Sequence, residues 1–122
     1  MGLYYNLPVF KSTYELLRRI LILTQNFNRH YRFNIGDSLI DATFMLHTLI
    51  FRAYDQRTDF SLLQPAREQV EIIRLHIRLL RDQRQISIEQ FTDLNESVES
   101  ISKQVTSWQK AMKNAPGRND VG

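Results

Sequence analysis

The sequence predicts an all-α protein, an up-down-up-down antiparallel four-helix bundle. Three observations predict it. The 122 residues hold only 4 Gly and 3 Pro, and two of those glycines and one proline fall at or after Pro116. Four stretches place apolar residues at the 3.6-residue spacing of a helix. The polar links between them are short, which makes neighbouring helices antiparallel. No strand-like alternation and no internal repeat breaks the pattern. The length allows a single domain. It is expected over about residues 1–113, followed by a flexible tail at 114–122.

The first helix is expected at about residues 10–28. Leu16, Leu17, Ile20, Leu21, Leu23, Thr24 and Phe27 share one broad face. Ser12 or Thr13 is the expected cap, with Pro8 just outside. The segment from Asn28 to Gly36 reads as a polar loop. The second helix is expected at about 37–55, with Asp37 accepting from the free N–H groups of its first turn. Leu39, Ala42, Leu46, Leu49, Ile50 and Ala53 form one stripe, and Ile40, Phe44 and Phe51 form a second. A helix apolar over so much of its circumference is covered on two sides, here by another subunit.

The third helix is expected at about 60–85. Pro65 is tolerated only in a first turn, so Phe60 to Leu63 reads as a separate short turn. Ala66, Val70, Ile73, Ile77 and Leu80 make its core face, widened by Ile72, Leu75 and Leu79. The fourth is expected at about 87–113. Ser87 and Gln90 have capping-box spacing. Phe91, Leu94, Val98, Ile101, Val105, Trp108 and Met112 then alternate steps of three and four, a heptad seam. Trp108 belongs to that seam and reads as core.

Composition excludes several classes. Hydrophobic residues are 43% and charged residues 24%, too apolar for wholesale disorder. Cysteine is absent, which removes disulfides, thiolate catalysis and cysteine-ligated zinc. The apolar runs Ile20 to Leu23 and Phe44 to Phe51 are too short or interrupted for a membrane span. The expectation is a soluble, cytoplasmic chain that uses no membrane.

Catalytic signals are weak. His30, His47 and His76 lie on three different segments. No Glu-x-x-His, no His-Glu-x-x-His and no phosphate-binding glycine loop occurs. His47 and His76 fall beside apolar faces, where a hydrogen-bonded, partly buried imidazole is the ordinary outcome. A metal enzyme built on both is the rival reading. No catalytic residue, cofactor or metal is expected.

The informative feature is charge placement. There are 16 Lys+Arg against 13 Asp+Glu, a net charge of +3. Arg67, Arg74, Arg78 and Arg81 fall within an arc of roughly 60° on the third helix and span about 21 Å. Arg84 continues this stripe less regularly. Glu71 lies beside it and Asp82 near its end. Three readings compete: a solvated face, an ion-pair interface, and a nucleic-acid surface favoured by basicity and a shortage of matched acids. Arginine suits the last because its planar fork stays charged and grips phosphate. Arg18, Arg19, Lys103, Lys110 and Lys113 could extend such a surface.

The stretch Glu71-Ile-Ile-Arg-Leu-His-Ile-Arg-Leu-Leu-Arg-Asp82 resembles the corresponding helix of accessory variability (Avd-type) proteins of diversity-generating retroelements. The Ile35-Gly36-Asp37 helix start, the Ile86-Ser87…Gln90-Phe91 entry and Ser107-Trp108 are also similar. Ser107 stands where that family often has Gly. The resemblance covers roughly Tyr14 to Met112. A related family of four-helix proteins, encoded in ribosomal-RNA intervening sequences, shares the architecture. Its usual Asn-Ile-Ala-Glu-Gly-like segment is missing here, which favours the Avd type.

The resemblance implies a four-helix bundle that assembles into a pentameric barrel. It implies a basic, non-catalytic accessory protein that binds nucleic acid and the reverse transcriptase of its retroelement. Such proteins support template-primed, error-prone cDNA synthesis. Arg74 and Arg78 match the family's arginines on this helix. Arg67, Arg81 and Arg84 follow on stripe geometry alone. The alternative implied is an intervening-sequence protein acting as a protein-interaction scaffold.

Overall fold

The structure, a computed structural model, describes residues 7–56 and 60–114. It contains four long helices: α1 (Pro8–Thr24), α2 (Asp37–Asp55), α3 (Leu63–Asp82) and α4 (Ile88–Lys113). Each packs against its neighbour in sequence, and α4 closes back onto α1. This is the expected up-down-up-down bundle. No strand occurs among the described residues, and no helix is long and apolar enough to cross a membrane. The tail expected at 114–122 lies outside the described residues from 115 onward.

The four apolar stripes meet in one core. Leu16 and Ile20 of α1, Leu46 and Ile50 of α2, Ile73, Ile77 and Leu80 of α3, and Leu94, Val98, Ile101 and Val105 of α4 are all 1% exposed or less. Phe91 and Trp108, at the ends of the α4 seam, pack against this core from its edge. The Ser87 capping box is fully formed: the Gln90 N–H donates to Ser87 Oγ at 3.0 Å, and the Ser87 N–H donates to Gln90 Oε1 at 2.9 Å.

The helix ends depart from expectation in three places. Pro8 is inside α1, at its first turn, because a residue without an N–H loses nothing there. Neither Ser12 nor Thr13 caps that helix; Thr13 is buried and its hydroxyl donates to the Val9 carbonyl at 2.8 Å. α1 also stops at Thr24, four residues before Asn28. A tight turn carries the chain to the buried Phe27 through successive short-range bonds such as Phe27 N–H to Thr24 O at 3.2 Å.

The second departure follows directly. The expected loop from Asn28 to Gly36 is helical. Asn28 caps a single turn, Arg29–Tyr31, by accepting from the His30 N–H at 3.1 Å. A π turn, Arg32–Gly36, then runs straight into α2. Asp37 is therefore an interior residue whose own N–H donates to Arg32 O, and it caps nothing. Gly36 permits the close approach: a Cβ there would lie 3.3 Å from Tyr31 O and 3.4 Å from the Phe27 ring.

The third departure is the end of α3. The helix stops at Asp82 instead of about residue 85. The Gln85 N–H reaches back to Leu80 O at 2.8 Å and the Arg84 N–H to Arg81 O at 2.9 Å. This paired pattern closes a helix through a left-handed residue, a position that favours glycine. Here that residue is Arg84, with φ 60°. At the other end, Phe60–Leu62 forms the separate short turn and Pro65 sits in the first turn of α3, as the proline required.

Core truncation and cap removal separate the contributions. Ile77→Ala is expected to lower unfolding free energy by about 2–5 kcal/mol. Ser87→Ala is expected to lower it by about 1 kcal/mol. Urea titration measures both, and the order of the two effects is the check.

Candidate nucleic-acid interface

The arginine stripe exists, but it runs along the seam where α3 meets α4 and not along the outermost line of α3. Arg67 donates from Nη1 to Gln109 Oε1 on α4 at 2.8 Å. Arg74 is held on two sides: Nε reaches Glu71 Oε2 at 3.2 Å, and Nη2 reaches Glu99 Oε1 of α4 at 2.9 Å. Arg81 bonds Asp82 Oδ1 at 2.9 Å and lies over the Phe91 ring at 4.6 Å. Arg78 has only a loose contact, 3.8 Å from Asp82 Oδ2.

Exposure ranks these groups. The Arg78 side chain is 70% exposed and that of Arg74 only 31%. The two arginines that the resemblance put first therefore differ. Arg78 faces solvent with most of its hydrogen-bonding capacity unused, whereas Arg74 ties α3 to α4 through Glu99. That partner was invisible in the linear pattern, because Glu99 lies 25 residues away on another helix. The apparent shortage of matched acids was thus partly an effect of reading one helix at a time. Arg84 is not on the stripe at all but in the turn that ends α3.

The suggested extensions differ as well. Arg18 pairs with Glu15 at 3.1 Å; that hydrogen bond holds the Glu15 carboxyl below its usual range and the guanidinium above its own. Arg19 is turned inward to Ser97 Oγ at 2.7 Å, with Asp93 at 3.8 Å. Lys103, Lys110 and Lys113 are exposed and meet no carboxylate among the described residues. Arg29 and Arg32, read as loop residues, also lack a carboxylate there. The interleaving of Arg29-His30-Tyr31-Arg32-Phe33 was the signal that could have singled them out.

The histidines do not converge. His47 packs its ring edge-on against Phe10 of α1 at 5.2 Å, in the α1–α2 groove. His76 faces the other flank of α2, where its Nε2 is 2.7 Å from Ser38 Oγ and its Nδ1 is 2.7 Å from Ile72 O. No group of three or more metal-ligating side chains occurs among the described residues. The Ser38–His76 pair has the spacing of a nucleophile and its base. It lies on an open helix flank, however, and the neighbouring Asp37 N–H is spent on Arg32 O, so it offers no oxyanion donor. Its evident work is to join α2 to α3.

Two apolar surfaces remain uncovered. In the α1–α2 groove Tyr14 is 56%, Phe44 52% and Phe51 43% exposed. Beyond the other flank of α2, Met45, Ile72, Leu75 and Leu79 are exposed too. Of the second stripe expected on α2, Phe44 and Phe51 are therefore about half exposed, whereas Ile40 packs against the edge of the core.

The bAvd-like family matches residues 9–112 of the chain. No curated protein and no solved structure matches it.

Two measurements probe this geometry. A double-mutant cycle on Arg74 and Glu99 is expected to give a coupling of about 0.5–1 kcal/mol, and one on Arg78 and Asp82 close to zero. Burial holds the His47 imidazole below its ordinary 6.5, opposed only in part by the hydrogen bond that its ring donates to the Thr13 backbone carbonyl. Below pH 6.5 the unfolded chain takes up a proton that the folded chain refuses, so stability falls as pH drops through that value. Urea midpoints at stepped pH are expected to show this fall in the wild type and a flatter profile in His47→Gln.

Proposed function

The chain belongs to the bAvd-like family, and on that premise we propose that it binds the reverse transcriptase and the template RNA of its retroelement as a cytoplasmic homopentamer. Membership carries the coarser role, an accessory, non-catalytic protein of a diversity-generating retroelement. The finer reading rests on the residues. Its main support is Arg78, whose side chain is 70% exposed and whose ion-pair partner, Asp82 Oδ2, is 3.8 Å away.

Arg67, also exposed and held only by a neutral amide, joins Arg78 in contacting phosphates. Arg81 and Arg84 follow. Arg74 contributes to the field but contacts a polyanion only by giving up Glu71 or Glu99. A net charge of +3 is weak for a single chain. Repeated around a ring, the same surface becomes a strong, salt-sensitive attractor for RNA. Such contacts position the RNA without reading its bases.

Self-association has its own support. The two uncovered apolar surfaces differ in composition and lie on opposite flanks of α2. A contact of one surface with the other on the next copy is head-to-tail, the kind of contact that closes into a ring when the rotation between copies is a whole fraction of a turn. This also gives the surplus apolar area of α2 a covering.

Two variants test the reading. The double change Arg67→Ala with Arg78→Ala is expected to weaken RNA binding about tenfold or more at moderate salt, and to lower the salt dependence by about two phosphate contacts. Phe44→Asp is expected to break the oligomer seen by light scattering, while the arginine variant keeps it. Wild-type affinity in the arginine variant would overturn the polyanion role.

A further inference from the structure

The end of the bundle where α1 gives way to α2 also holds the turn between α3 and α4. Two hydrogen bonds clip them together. The Asn28 N–H donates to Gln85 Oε1 at 2.7 Å, and Tyr31 Oη donates to Gln83 Oε1 at 2.9 Å. Arg84 stands between those two glutamines in the chain. Arg29 and Arg32 flank the clipped tyrosine. Five arginines thus gather at this end: Arg29, Arg32, Arg78, Arg81 and Arg84. Of the nearby acids, Asp82 is already taken by Arg78 and Arg81. Arg29, Arg32 and Arg84 meet no carboxylate among the described residues.

An aromatic ring lies among them. The guanidinium of Arg29 is 5.8 Å and that of Arg32 5.4 Å from the centre of the Phe33 ring, both within cation–π range. Phe33 remains 56% exposed with both in place. A phenyl ring so exposed gains little from the core. Two irregular backbone features carry residues of this end. The π turn Arg32–Gly36 carries Phe33 itself, and such turns are frequent at functional sites. Arg84 occupies the left-handed position that a glycine would hold at lower cost.

We propose that Arg29, Arg32, Phe33 and Arg84 form a site for a single-stranded polynucleotide. An unpaired base stacks on Phe33, and the guanidiniums hold the phosphates on either side. This combination of stacking platform and cationic rim takes single strands of any sequence, because every base has a π face. A duplex fits it poorly, since its bases are already stacked and its backbone alone is available. The inference rests on the reading that the chain handles nucleic acid, but the site itself includes neither Arg67 nor Arg78, which are borne on α3.

The test uses fluorescence anisotropy of the full chain with three probes: an unstructured RNA of about 12 nucleotides, its DNA equivalent, and a blunt-ended RNA duplex without a loop. Phe33→Ala is expected to weaken single-strand binding by about fivefold to a hundredfold and to leave binding of the duplex unchanged. Phe33→Trp is expected to restore it. Equal losses for RNA and DNA identify stacking alone, and a larger loss for RNA adds recognition of its 2′-hydroxyls; both support the site. Arg84→Gly is expected to raise the melting temperature while weakening the single strand, a pair of effects that a structural role does not give. Wild-type single-strand binding in Phe33→Ala and Arg84→Gly, together with a loss in the Arg67/Arg78 variant, overturns this site and leaves the broader function standing. A change of oligomer mass in Phe33→Ala overturns it too, by making the ring a subunit contact. Absence of nucleic-acid binding by the wild type removes both proposals.

Discussion

Burial of four apolar stripes in one shared core is what the rest of this molecule depends on, and the chain is too short to bury everything it carries. Ile50, Ile73, Ile77, Ile101 and Val105 are sealed completely. Once those positions are filled, the flanks of α2 and α3 have no further helix to meet. Phe44, Phe51, Ile72 and Leu75 consequently face outward. The surface of this protein is thus set by arithmetic at the centre. Four helices have one inside, and α2 carries apolar residues for more than one.

The same packing decides what the arginines do. α3 lies between α2 and α4, so one flank of it is apolar and the other is charged. Because the charged flank abuts α4, its arginines are offered partners from another helix. Arg74 accepts that offer through Glu99 and becomes a fastener. Arg78, one turn further on, finds only a distant oxygen of Asp82 and stays available. Two residues identical in type and nearly identical in helical phase acquire different roles from neighbours that the helix itself does not contain.

Elements governed by local chemistry were legible in the sequence. The capping box at Ser87 and the heptad seam of α4 follow from side chains within a few residues of one another, and the structure reproduces them. Elements governed by tertiary contact were not. The segment from Asn28 to Gly36 is polar and aromatic and reads as a loop. It is helical, and Gln83 and Gln85, more than fifty residues away, clip it to the turn after α3. Arg84 reads as one more stripe position, yet the backbone closes α3 before it. Of the candidate interface, the identity and spacing of the arginines could be read; which of them would be neutralised could not.

The π turn ahead of α2 has a consequence for how this connection can vary. Links between helices ordinarily absorb insertions and deletions, because their backbone answers to solvent. This link is a continuous helical rod, and each residue added or removed swings everything before it by about 100° around the axis. One residue fewer between Tyr31 and Gly36 would convert the wide turn to a regular one and carry the Arg29–Tyr31 turn to a different side of the bundle. The connection therefore counts residues as strictly as the core does.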